Sequence, residues 1–186
     1  MQRKILILLA VFVVAFMFAG AASAASVQSN QITTAKNTVG TNTGQNIQQK
    51  SKINDPVNLR TLKSYSTIQA AINDPKTLNG DTIVVFSGVY TENVLVNKAL
   101  TLLGQGTVTV QPLVSSSPVF TITSDKVTIE NFIIGPSTSD GILVQSNSNT
   151  LLDNTITSNY NGIEVQKSKG NKIKNNQINK NSNKGI

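Results

Sequence analysis

Three observations in the sequence predict an all-β fold in which the chain winds as a parallel β-helix, a solenoid of about 22 residues per coil. First, apolar and asparagine positions recur every 22 residues: Ile129, Leu151 and Ile173; Phe132, Asn154 and Asn176; Ile134, Ile156 and Ile178. Second, the apolar stretches that precede these repeats are short, rich in β-branched residues and followed by glycine or proline, the pattern of strands joined by tight turns. Third, only 13% of residues are charged against 39% hydrophobic. Asn, Ser, Thr and Gln supply the polar surface, where amphipathic helices would carry Glu/Lys faces.

The N-terminal segment stands apart from this fold. Arg3 and Lys4 are followed by an apolar run of 14 residues, Ile5 to Phe18, and then by Ala22-Ser23-Ala24. A positive start, a short apolar core and a small-residue site predict a signal peptide over residues 1–24. The run is short for a membrane span; an uncleaved anchor is the other reading, and both take the rest of the chain out of the cytoplasm. Residues 25–63 are polar and aperiodic, as in Asn42-Thr43-Gly44-Gln45-Asn46. Too little apolar area is available there to offset ordering entropy, which predicts a flexible linker. No Asn-x-Ser/Thr acceptor occurs anywhere in the chain, so conventional N-glycosylation is not expected.

The β-helix domain is expected over residues 64–186. It opens with a short helix, Ser66 to Asn73, capped by Ser66, with Ile68, Ala71 and Ile72 on one face and Asp74-Pro75 as its stop. Strands are predicted at Thr82–Phe86, Asn93–Val96, Leu100–Leu103, Val108–Val110 and Val119–Ile122, with Gly88, Gly104, Gly106 and Pro112 as turn residues. The 22-residue units follow, together with a Gly-Ile pair at 141–142, 162–163 and 185–186. Leucine-rich repeats have a similar period, but they require several leucines at fixed offsets. Here Ile, Val and Asn hold those places. Coils stacked about 4.8 Å apart would align isoleucines inside and let Asn154 and Asn176 form an amide ladder. Gly141, Gly162 and Gly185 suit a positive φ at a corner.

Tyr65-Ser-Thr-Ile-Gln-Ala-Ala-Ile72, Gly80-Asp-Thr-Ile-Val-Val85, Gly88-Val-Tyr-Thr-Glu-Asn-Val94 and Leu100-Thr-Leu-Leu-Gly104 resemble the opening of right-handed parallel β-helix proteins. That group includes pectin methylesterases, NosD-type periplasmic proteins and adhesin-like surface proteins of methanogenic archaea. The units Asn149 to Ile156 and Asn171 to Ile178 resemble the parallel β-helix repeats of the last two. The resemblance spans Tyr65 to Ile186 and implies a right-handed β-helix whose short helix plugs its N-terminal end. It says little about activity, because one fold hosts many.

Composition narrows the functional classes. With no Cys, no His and methionine only at Met1 and Met17, the mature chain has no soft ligand for copper, which removes a metal-handling role of the NosD type. Calcium would need a carboxylate-rich loop, and none is present. An enzyme acting on polysaccharide, by analogy with pectin lyases and methylesterases, would need clustered carboxylates. The repeat carboxylates are Asp125, Glu130, Asp140, Asp153 and Glu164. Asp140 aligns with Asn161 and then Lys184, Glu130 with Leu152, and Glu164 with Leu143, so no acidic ladder forms. No pectin methylesterase catalytic motif is matched, and no catalytic, cofactor or metal residue is assigned.

The expectation is therefore a non-catalytic, secreted or cell-surface structural or adhesin-like module. Its Asn/Thr/Ser faces would meet polysaccharide or cell-wall glycan, with Tyr90 or Tyr160 as a stacking ring. Without Arg3 and Lys4 the net charge of +7 becomes +5, and Lys167, Lys169, Lys172, Lys174, Lys180 and Lys184 all follow the last carboxylate, Glu164. Nucleic acid is not an expected partner, because no arginine or flanking aromatic cluster accompanies these lysines. No membrane contact is expected beyond the signal segment. Because the sequence stops in mid-coil at Gly185-Ile186, the expectation is a truncated gene product or a fragment of a longer surface protein, with its last coil open to edge-to-edge pairing.

Overall fold

The computed structural model describes residues Asn54–Ile186. The expected signal peptide (1–24) and residues 25–53 of the expected linker lie outside them. The remaining linker residues are part of the fold, which corrects the expected boundary at residue 63. β1 (Val57–Asn58) and β2 (Lys63–Ser64) form an antiparallel pair, and β1 also pairs antiparallel with β3, Val57 opposite Val84. Val57 is 3% exposed and Asn58 fully buried. The polar composition of 25–63 concealed this because Val57 is the one apolar residue of β1 and Asn58 is held by hydrogen bonds to Thr77 and Asp81.

Beyond Asp81 the chain is an all-β solenoid of about four turns. The strands are β3 (Thr82–Thr91), β4 (Val94–Val96), β5 (Thr101–Gln111), β6 (Phe120–Ile122), β7 (Thr128–Glu130), β8 (Ile133–Ile134), β9 (Ile142–Val144), β10 (Thr150–Leu152), β11 (Thr155–Thr157), β12 (Ile163–Val165), β13 (Lys172–Lys174) and β14 (Gln177–Asn179). From β3 onward every pairing between them is parallel.

The register builds the interior. One column is Ile83, Leu102, Ile129, Leu151 and Ile173. A second is Tyr90, Val110, Ile134, Ile156 and Ile178, and a third is Val94, Phe120, Ile142 and Ile163. Alternation turns the central residue inward in β7, β10 and β11 and the end residues inward in β4, β6 and β9. Ile129, Leu151, Ile134 and Ile156 are fully buried, each such side chain contributing roughly 2 kcal/mol. Phe120 and Phe132 meet edge to face, with centroids 5.8 Å apart.

Some turn assignments change. β3 and β5 run through Gly88, Gly104 and Gly106 without a break; the bend at Gly88 is a register shift between Phe86 and Gly88, a bulge that redirects the strand. Gly104 is a close-approach site, since a Cβ there would lie 2.1 Å from the Asn131 carbonyl oxygen. Gly141, Gly162 and Gly185 do not adopt positive φ. Left-handed residues instead recur at the solenoid period: Lys126, Ser148 and Gly170; Asn131, Asp153 and Asn175; Ser158 and Lys180. Gly141 and Gly162 are needed for space. A Cβ at Gly162 would sit 2.4 Å from the Gly185 carbonyl oxygen and 2.5 Å from Ile178 Cγ2.

Each left-handed residue precedes an inward corner residue, and three of those corners hold asparagine ladders. Asn154 Nδ2 donates to Asn176 Oδ1 (3.0 Å) and to the Ile129 carbonyl (2.9 Å), while its Oδ1 accepts from the Phe132 amide (3.0 Å). Asn149 bonds Asn171 and the Val127 amide in the same way, and Asn159 bonds Asn181. The corner backbone is thereby paired although buried.

Candidate functional site

Two regions concentrate polar side chains: the N-terminal closure and the outward faces of the later coils. The closure is built around α1 (Ile68–Asn73), whose Ile68, Ala71 and Ile72 are fully buried against β3 and β4. Thr67, not Ser66, is its cap, accepting from the Ala70 amide at 3.0 Å. The Glu92 carboxylate accepts from the Ile68 and Gln69 amides, both at 2.9 Å, at the end where helix N–H groups lack partners. At the other end, Lys98 Nζ donates to the carbonyls of Ile72, Asp74 and Thr77 at 2.7–2.9 Å. Gln69 reaches over the outer edge of β4 and satisfies Leu95 twice, accepting from its amide (2.7 Å) and donating to its carbonyl (3.2 Å). A side chain thus stands in for a neighbouring strand.

Two carboxylates lock this closure. Asp81 accepts from Arg60 Nε (2.6 Å), Asn58 Nδ2 (2.8 Å) and the Leu78 amide (2.9 Å). Burial pushes its carboxyl up, but those hydrogen bonds and the Arg60 charge outweigh it and hold the pKa at about 2. Asp74 pairs with Lys63 and accepts from the Lys76 amide; the Lys63 bond is the larger cause that lowers it to about 2. Sequence reasoning missed this constellation, because none of its residues is periodic.

The repeat carboxylates are dispersed. Asp125, exposed, accepts from the Asn147 amide at 2.7 Å, and Asn147 Oδ1 in turn accepts from the Lys169 amide at 3.0 Å. Asp140 accepts from Asn161 Nδ2 at 2.8 Å. Asp153 is an exposed left-handed corner. Glu130 lies at the end of β7 opposite Leu103 and Leu152. Glu164 projects from the middle of β12 opposite Leu143. The structure brings no two of the five into one ladder. Among the described residues no group of three His, Cys, Asp or Glu could hold a metal ion.

The two tyrosines separate. Tyr90 packs against the core, and its hydroxyl donates to the carbonyls of Asn54 (2.7 Å) and Phe86 (2.9 Å). Burial, with the charges of Asp55 and Glu92 adding, pushes its pKa up to about 12. It is a packing residue rather than the free stacking ring expected of it, because the bend at Gly88 turns it inward. Tyr160 is 49% exposed. The six C-terminal lysines are exposed as well: Lys172 and Lys174 project from β13, opposite Thr150 and Leu152, and Lys184 pairs with Asn161 in a parallel bridge.

Fold and register define a parallel β-solenoid. A cell surface glycoprotein of Methanothermus fervidus is 38% identical to the chain over 154 residues, covering 65% of this chain and 26% of the relative. The chain thus spans about a quarter of the length of the curated relative it matches. No protein-family profile matches the sequence, and no solved structure matches it.

Proposed function

We propose that this chain is an exported, non-catalytic structural or adhesin-like module of a cell surface, a right-handed β-helix of the adhesin-like repeat type that meets polysaccharide through its outward faces. The observation that carries this reading is the solenoid itself, paired with similarity to a protein named as a cell surface glycoprotein. A rigid stack with Asn, Thr and Ser outside presents many fixed hydrogen-bonding groups at the cost of little side-chain entropy. The separated carboxylates favour binding over hydrolysis, which needs two of them at a defined separation. Residues 1–24 act as the export signal in this reading.

Expression of the full chain in an exporting host tests it. The expected result is a mature chain beginning at Ala25, degraded when protease is added to intact cells. A chain retained in the cytoplasm with Met1 intact would overturn the surface reading. Sugar release from a polysaccharide array incubated with the purified chain would overturn the non-catalytic one.

A further inference from the structure

We propose that the corner of the last two coils bearing Tyr160, Asn161, Asn183 and Lys184 is the contact site for a carboxylate-bearing polysaccharide; the proposal rests on the polysaccharide reading above. Tyr160 is the exposed aromatic ring among the described residues. Tyr65, Phe120 and Phe132 are at most 6% exposed, and Tyr90 and Phe86 are half-buried. An amphipathic ring held at the surface offers a flat apolar face against which the C–H side of a sugar can lie.

The groups around this ring are fixed in register. The Asn183 amide donates to the Tyr160 carbonyl at 2.8 Å, and the Gly162 amide to the Lys184 carbonyl at 2.8 Å. The side chains continue the order across coils: Asn183 Nδ2 donates to Asn161 Oδ1 at 2.9 Å, and Asn161 Nδ2 to Asp140 Oδ1 at 2.8 Å. The Asp140 carboxylate thereby accepts from Asn161 and lies two coils from Lys184, with Asn161 on the coil between. The amides are oriented before any ligand arrives, so hydroxyl groups can bind them without further ordering.

Charge decides the class of sugar. Lys184 and Lys180 lie on a stretch with no carboxylate after Glu164, and both are exposed. An ammonium group is a point charge with three donors, suited to a single carboxylate. Phosphate-rich nucleic acid would call for arginine and several stacked rings. One ring, two lysines and a row of amides fit uronic-acid units better.

The experiment is affinity electrophoresis of the full chain in gels containing polygalacturonate or neutral dextran, at low and high salt. Polygalacturonate should retard the chain, dextran much less, and salt should weaken the retardation. Tyr160→Ala and Lys184→Gln should each weaken binding about five-fold or more. The Lys172→Gln/Lys174→Gln pair, on another face, should change it less than about two-fold. Unchanged thermal unfolding of each variant excludes misfolding as the cause. Binding that survives both corner substitutions would overturn the assignment of this corner while leaving the polysaccharide reading intact. Equal retardation by dextran would overturn the acidic class. No retardation in either gel would overturn the proposal and the polysaccharide reading together.

Discussion

Gly162 and Gly185 occupy equivalent places in successive coils, yet they tolerate change differently. A Cβ at Gly162 meets a carbonyl oxygen and a methyl group at 2.4 and 2.5 Å; at Gly185 the nearest atom is 3.7 Å away. Gly162→Ala should therefore lower stability by about 2 kcal/mol, and Gly185→Ala by less than about 0.5 kcal/mol. Urea unfolding midpoints of the two variants check this. Asn154→Ala should cost about 2 kcal/mol, because it leaves the Phe132 amide buried and unpaired. The 22-residue spacing made Asn154, Asn176 and the Gly-Ile pairs legible in the sequence. The reason for the glycines was not legible, because spacing shows which residues stack and not which torsions they adopt. Of the recurring left-handed corners only Gly170 is a glycine; Lys126 and Lys180, at equivalent kinds of position, carry no turn signal.

Helix α1 is too short to be stable alone, so its contacts with the first coil decide whether it stays docked. Glu92→Ala removes the acceptor of two helix amides. Hydrogen exchange at the Leu95 amide, which Gln69 covers, should then accelerate about ten-fold or more. The closure also has a defined pH range. Asp74 and Asp81 titrate in the folded state at about 2, below their ordinary 3.8. Their contribution is therefore complete above the ordinary value and is lost as pH falls from about 4 toward 2. Tyr90 runs the other way: with its pKa raised from 10.0 to about 12, stability is lost as pH rises through that interval. Thermal midpoints across pH should show both limbs, with Asp81→Asn flattening the acid limb and Tyr90→Phe the alkaline one. The sequence pattern placed an apolar helix face at Ile68, Ala71 and Ile72. It could not pair Arg60 with Asp81 or Lys98 with the helix carbonyls, because those contacts depend on how β1 and the first coil return to the helix.

Across the solenoid, each coil hydrogen-bonds to its neighbours, so stability should behave as a sum over coils and interfaces. Deleting residues 151–172 joins Thr150 to Ile173, and because Thr150 already pairs with Lys172, the register survives. Circular dichroism and thermal unfolding of that variant should show a folded, cooperative β protein. Deleting residues 151–161 alone should unfold the coils beyond Thr150, since it sets inward positions against corners, and leave a smaller cooperative transition from the earlier ones. The three asparagine columns add a property of the whole stack. Asn149, Asn154 and Asn159 each donate to the equivalent asparagine of the later coil, and Asn149 and Asn154 accept from a backbone amide of the earlier one. Their carboxamide dipoles, each comparable to the roughly 3.5 D of a peptide unit, therefore add along the axis. The asparagine columns thus give the stack an electrical direction, their amide ends toward its lysine-bearing coils. Two such stacks lying side by side are favoured pointing in opposite directions, whereas stacks joined end to end are favoured all pointing the same way.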